Sequence, residues 1–276
     1  MIEIAICLAI IGIALVAIVG VLPLGMNVQR ENRESTIINQ DSTILLEAIR
    51  NGARGMDDLT NYVYAITNSW TLFNADGTVK SSGINGYTFN TVSTPLPVPP
   101  FSSAPLTNGA NVVALLSTPE FIANISNLPA TNYPFVPGVF YISQSYGNNF
   151  NCYSNHIVAY VRSISGPAVE KPPQDNQILQ EDTFTYRLYC VNAPVATDTN
   201  IFNTAIYPYG PPAYNQQLAQ NLHELRLTFL WPQNPNGKLG NGRQTFRTLV
   251  AGQIATDIVN GNYLYFYQPQ SFAITK

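Results

Sequence analysis

Hydrophobic and polar positions change their spacing twice along this 276-residue chain. From Ile4 to Gln29 no residue is charged, and Ile4–Leu22 (IAICLAIIGIALVAIVGVL) is almost wholly aliphatic. At roughly 1.5 Å per residue, a helix over this run approaches the ~30 Å hydrocarbon core of a bilayer, so residence in a membrane is expected. Between Gln29 and Gly55, Ile37, Ile38, Ile44, Leu45, Ala48 and Ile49 recur near helical spacing, the mark of an amphipathic helix. Its other faces are expected to carry Arg30, Glu31, Arg33, Glu34, Asp41, Glu47, Arg50 and Arg54 as solvation and subunit registry. Gly52 and Gly55 are expected to end it, with a short second helix over Met56–Ile66.

Beyond this point the period shortens to that of strands. Val139–Gln144, His156–Ser163, Thr183–Val191, Leu222–Leu230, Thr245–Val250 and Asn262–Tyr267 are rich in branched and aromatic residues and bounded by Gly, Pro or Asn. Alternation is clearest in LHELRLTFL, which puts His223, Leu225, Leu227 and Phe229 on one face and Leu222, Glu224, Arg226, Thr228 and Leu230 on the other. Asn234–Gly242 reads as the turn to the next strand; it lacks the spacing of a phosphate-binding loop. Asn111–Ser117 and Tyr214–Leu222 read as short helices, and Ser81–Pro105 and Pro194–Pro212 as long loops. The pattern predicts an α+β protein: a helical stalk over residues 1–55, with 4–22 spanning the membrane, and a β-rich head with an antiparallel sheet over 56–276. Gly20, Pro23 and Gly25 are where the stalk should weaken, because Pro removes an amide donor and crowds the preceding turn.

Composition sharpens this division. Only 11% of residues are charged, against roughly a quarter in an ordinary soluble domain. Residues 1–60 carry four basic and seven acidic side chains and no aromatic ring; the remainder carries nine of each sign and all the Phe, Tyr and Trp. The net charge of −3 therefore falls within the first 60 residues. No clustered Lys/Arg excess suits a phosphate-tracking surface, so no specific nucleic-acid partner is expected. A cleaved secretory signal would show a basic start and a small-residue cleavage site, whereas this run follows Met1-Ile2-Glu3 and continues into a polar helix, so it reads as retained. Glu3, at the edge of an aliphatic run, either sits at the membrane surface or pairs with the N-terminal ammonium, here that of Met1, of a neighbouring subunit.

Met1-Ile2-Glu3, followed by ICLAIIGIALVAIVGVLP, resembles the N-terminal helix of type IV pilins and type II secretion pseudopilins. The likeness covers about the first 55 residues, and the glutamate stands two positions earlier than in the family. The resemblance implies a subunit that waits in the bacterial inner membrane, is processed by a prepilin peptidase, and is assembled by inner-membrane machinery into a cell-surface or extracellular helical homopolymer. It also implies a methylated N-terminus and loss of regular helical hydrogen bonding within Gly12–Gly25. The alternative within the family is a minor pseudopilin or tip adhesin that binds secreted substrate, DNA or a surface. Since some pseudopilins bind calcium, Asp175, Glu181 and Asp182 are a weak calcium candidate, without the ligand spacing of an EF-hand; no other cofactor is expected.

Of the three cysteines, Cys7 lies in the aliphatic run and reads as a small hydrophobe. Cys152 precedes one predicted strand and Cys190 closes another, so an antiparallel pairing of the two would bring them near one end and allow a disulfide, with an oxidising compartment implied. Enzymatic chemistry has little to stand on. The two histidines, His156 and His223, lie at or within predicted strands, and there is no HExxH or CxxC motif. A structural subunit is expected, not an enzyme.

Overall fold

The structure, a computed structural model, describes residues 2–52, 57–73, 78–88, 103–106, 108–125, 150–165, 184–195, 218, 221–234, 236–259 and 262–272. It begins with a 49-residue helix, α1 (Ile2–Arg50), about 70 Å long at 1.5 Å per residue. The backbone is assigned as one continuous helix through Gly20, Pro23 and Gly25 in the single chain. Pro23 lies inside this helix, where its ring removes one amide donor. Gly52 then turns the chain with φ of 68°. A Cβ there would lie 2.5 Å from the Tyr267 carbonyl oxygen, so this close approach admits only glycine.

The short helix expected over Met56–Ile66 is instead a single 3-10 turn, Asp57–Asn61, followed directly by strand β1 (Val63–Phe73). The run Tyr62-Val63-Tyr64-Ala65-Ile66 is too branched and aromatic to hold a helix when a partner strand is at hand. β2 (Val79–Thr88) and β3 (Ser103–Pro105) occupy parts of the predicted loop 81–105. Next come α2 (Gly109–Leu116), β4 (Phe121–Ile125), β5 (Phe150–Arg162), β6 (Thr185–Pro194), β7 (Leu222–Gln233) and β8 (Leu239–Ala251). β9 (Gln253–Val259) and β10 (Asn262–Gln268) form a separate antiparallel pair.

The main sheet runs in the order β3-β2-β1-β5-β6-β7-β8, antiparallel except where β3 meets β2. One edge of β5 is shared: β6 pairs with its C-terminal half and β4 with its N-terminal half. The expected β7–β8 hairpin is present, closed by a turn in which Gly237 takes φ of 79°. The alternation read in LHELRLTFL is also present, with His223, Leu225, Leu227 and Phe229 buried. The predicted strand Val139–Gln144 lies outside the described residues, as does most of the predicted helix Tyr214–Leu222 and of the predicted loop 194–212.

The inner face of this sheet carries Ile66, Ile157, Leu188, Leu225 and Phe229 into one core with α2, the β9–β10 pair and the C-terminal half of α1. Helix α2 is capped at both ends: the Asn108 side chain accepts from the Asn111 amide, while Cys190 and Asn192 of β6 donate to the Leu116 and Ser117 carbonyls.

Candidate assembly surface

Two halves of α1 meet different surroundings. Every residue from Ile2 to Arg33 whose exposure is described is exposed, including Ile4, Leu8, Ile11, Leu15 and Ile18 at more than half of their possible surface. This half is long and apolar enough to cross a membrane. Exposed aliphatic surface on this scale is costly in water, at about 25 cal/mol per Å², and is compatible with insertion into a membrane. Cβ atoms built on Gly12, Gly20 or Gly25 would meet nothing within 4 Å among the described residues.

From Ile37 onward the helix is seated on the sheet. Ile37, Ile38, Leu45, Ala48 and Ile49 are buried, and so are the polar Asp41 and Ser42 in the middle of the same stripe. Asp41 corrects the sequence reading, which placed it with the solvating charges. It is fully buried and accepts hydrogen bonds from the amides of Ile164 (2.9 Å) and Ser165 (2.8 Å), from the Ser165 hydroxyl, and from the Tyr186 phenol (2.9 Å). The Ser165 hydroxyl also lies 3.3 Å from the Ile37 carbonyl. One carboxylate thus joins the helix to the segment leaving β5 and to the start of β6. Burial pushes its pKa up, against the lowering effect of these four donors. Burial likewise raises the Tyr186 phenol well above its ordinary value, reinforced by the adjacent Asp41, so the phenol remains a donor. The signal in the sequence was positional: Asp41 and Ser42 fall between Ile37/Ile38 and Leu45, inside the apolar stripe of the helix.

The other predicted site residues are dispersed. Glu3 is exposed in the first turn of α1, where a carboxylate suits the positive end of the helix dipole; Met1 lies outside the described residues. Arg30 and Glu34, four residues apart, form an ion pair at 2.8 Å, worth only a few tenths of a kcal/mol.

The predicted juxtaposition of Cys152 and Cys190 is overturned by register. Cys190 pairs with Ile157, and Cys152 lies five positions before Ile157 on the same strand. At ~3.3 Å per residue this is about 16 Å, well beyond the ~7 Å between Cα atoms that a disulfide spans. Cys190 is a free, buried thiol. Of the histidines, His156 is exposed, and His223 packs edge-on to Tyr267 with ring centroids 5.5 Å apart. No group of three metal-ligating side chains occurs among the described residues, and Asp175, Glu181 and Asp182 lie outside them.

No protein-family model, curated protein or solved structure matches the chain.

Proposed function

We propose that this chain is a structural subunit of an extracellular type IV pilus-like filament or pseudopilus, held in the bacterial inner membrane through residues 4–22 and then assembled by packing of stalk helices. The observation that carries this reading is the division of α1: one continuous helix, aliphatic and exposed over its first half and fixed to the β domain through Asp41 over its second. A helix built in this way couples whatever surrounds its free half directly to the sheet. Glycines at which a Cβ would meet nothing within 4 Å among the described residues suit close approach of another helix, since each costs about 1 kcal/mol relative to alanine in a helix interior.

In this reading a prepilin peptidase and inner-membrane assembly machinery act on the subunit, and Glu3 sets docking register by pairing with the amino terminus of a neighbouring copy. Gly20, Pro23 and Gly25 are then where the helix loosens as it leaves lipid for the filament. The role is structural and uses no cofactor.

The test is Glu3→Ala, with membrane fractionation and electron microscopy of sheared surface material. Membrane insertion without filaments is the expected result; normal filaments would remove the register argument. Helical reconstruction of wild-type filaments separates the two family roles. A homopolymer of this chain identifies the main subunit, whereas copies confined to filament ends identify a minor or tip subunit.

A further inference from the structure

The sheet has a second face, pointing away from α1, and its charge differs from that of the rest of the β domain. Of the nine Lys and Arg residues beyond position 60, five are arginines on this face: Arg162 of β5, Arg187 of β6, Arg226 of β7, and Arg243 and Arg247 of β8. Arg187 and Arg226 alternate with buried residues of the core: Tyr186 and Leu188, and Leu225 and Leu227. Among the described residues, Glu224 is the one carboxylate on the same face of these strands. Among the described residues of these four strands, this face thus carries five guanidinium groups and one carboxylate.

The register orders these groups. Arg187, Leu230 and Arg243 lie directly across from one another on three successive strands, and Val191, Arg226 and Arg247 do the same four residues away, about 13 Å along the strands. Between these two rows lies a third, of Tyr189, Thr228 and Thr245. Tyr189 is 37% exposed, and the Thr228 and Thr245 hydroxyls are 2.9 Å apart. The strip is therefore a line of hydroxyls flanked on both sides by guanidinium groups.

These guanidiniums are incompletely matched among the described residues. Arg226 faces Arg247 directly, a like-charge pairing that costs stability. Glu224 lies 3.6 Å from one and 4.0 Å from the other, close enough for attraction but not for hydrogen bonding to Arg226. The Nε groups of Arg187 and Arg226 are buried and have no hydrogen-bond partner among the described residues. At the β1–β5 side the array is held rigid: Arg162 stacks 5.3 Å over Tyr64, Arg187 stacks 5.2 Å over Tyr160, and Arg187 Nη2 also donates to the Gly237 carbonyl. Arginine, rather than lysine, throughout favours planar, bidentate recognition of carboxylates.

We propose that this strip, with Arg226, Arg243, Arg247, Tyr189, Thr228 and Thr245 as its accessible contacts, binds an acidic polysaccharide bearing carboxylate groups. The flanking arginines take the carboxylates, the hydroxyl row meets the sugar hydroxyls, and Tyr189 offers a ring face to one sugar. Repeated cations ~13 Å apart suit a polymer better than a single small anion. One isolated exposed ring does not provide the successive stacking surfaces that single-stranded nucleic acid uses. The strip lies within one chain, so the measurement can be made on unassembled subunits.

The experiment is titration calorimetry of the full chain in neutral detergent micelles with polygalacturonate, dextran and oligothymidylate. Polygalacturonate is expected to bind and to weaken as salt rises, with dextran silent. Arg247→Gln, at an exposed position, should weaken binding about threefold, and Arg226→Gln with Arg247→Gln tenfold or more, at an unchanged thermal midpoint for the single variant. Tyr189→Ala provides a second reading, with a loss of several-fold. Absent polygalacturonate binding, equal binding of dextran, or an affinity unchanged in both Arg247→Gln and Tyr189→Ala would overturn the proposal. Tighter binding of oligothymidylate than of polygalacturonate would overturn its ligand class.

Discussion

The phenol of Tyr186 donates a 2.9 Å hydrogen bond to the Asp41 carboxylate across 145 residues of sequence, at a point where both side chains are fully buried. Removing the carboxylate leaves the Tyr186 hydroxyl and the Ile164 and Ser165 amides without their acceptor. Asp41→Ala is therefore expected to destabilise the fold by about 3 kcal/mol, since each orphaned buried donor costs ~1–3 kcal/mol and part of the gap can admit water. Tyr186→Phe leaves three donors on the carboxylate and should cost about 1 kcal/mol. Urea unfolding of the detergent-solubilised protein measures both, and the double variant should fall short of the sum because the two groups share one contact.

The pH dependence of this seat has a definite sign. Burial raises Asp41 above its ordinary value, so between the unfolded and folded pKa values the folded chain keeps a proton that the unfolded chain has released. The contribution is complete below the unfolded value and is lost as pH rises through the folded one. The stability difference between wild type and Asp41→Asn should therefore shift against wild type as pH rises from 3 towards 7. A shift in the opposite direction, read from urea midpoints, would mean that the four donors outweigh burial.

Gly52 and Gly25 make a contrasting pair. Gly52→Ala must adopt φ near 68° and place a methyl group against the Tyr267 carbonyl, and should lower stability by about 2 kcal/mol, combining left-handed strain with displacement of β10. Gly25→Ala meets nothing within 4 Å among the described residues and should leave the folding of the β domain unchanged. Thermal melting followed by tryptophan fluorescence distinguishes them, because both tryptophans, Trp70 and Trp231, lie in the sheet.

Cys190 is enclosed by the core and donates to the Leu116 carbonyl, and burial raises its thiol well above the ordinary range. It should resist iodoacetamide in the folded protein and react fully in urea, with peptide mass spectrometry locating the label. A Cys152–Cys190 crosslink recovered from the native protein would contradict the register of β5 and β6.

What could be read from the sequence follows from how each element is stabilised. β7 was legible because one of its faces is fully dry, so Leu225, Leu227 and Phe229 had to alternate with polar residues. β2 was not, because VKSSGINGYT is largely exposed and is held by backbone pairing to β1, which leaves little trace in side-chain type. The start of β1 was hidden in a segment whose acidic first residues suit a helical turn, and they do form one, briefly. Asp41 was misassigned because a charged residue in an amphipathic helix is ordinarily solvated, and the donors that justify its burial arrive from residues 164, 165 and 186. The cysteines show the same limit: two strands can be recognised singly while their register, which decides whether two thiols meet, is settled by packing across the whole sheet.

The separation between Asp41 and its donors also has a consequence in time. The donors on Ile164 and Tyr186 lie 123 and 145 residues further along the chain than the carboxylate they bind. At ~5–20 residues per second, a ribosome needs roughly 6–30 s to make them after Asp41 has been synthesised. Throughout that interval the aliphatic half of α1 is complete while its seat does not yet exist. The aliphatic helix therefore meets its first surroundings before the residues that bury Asp41 have been made.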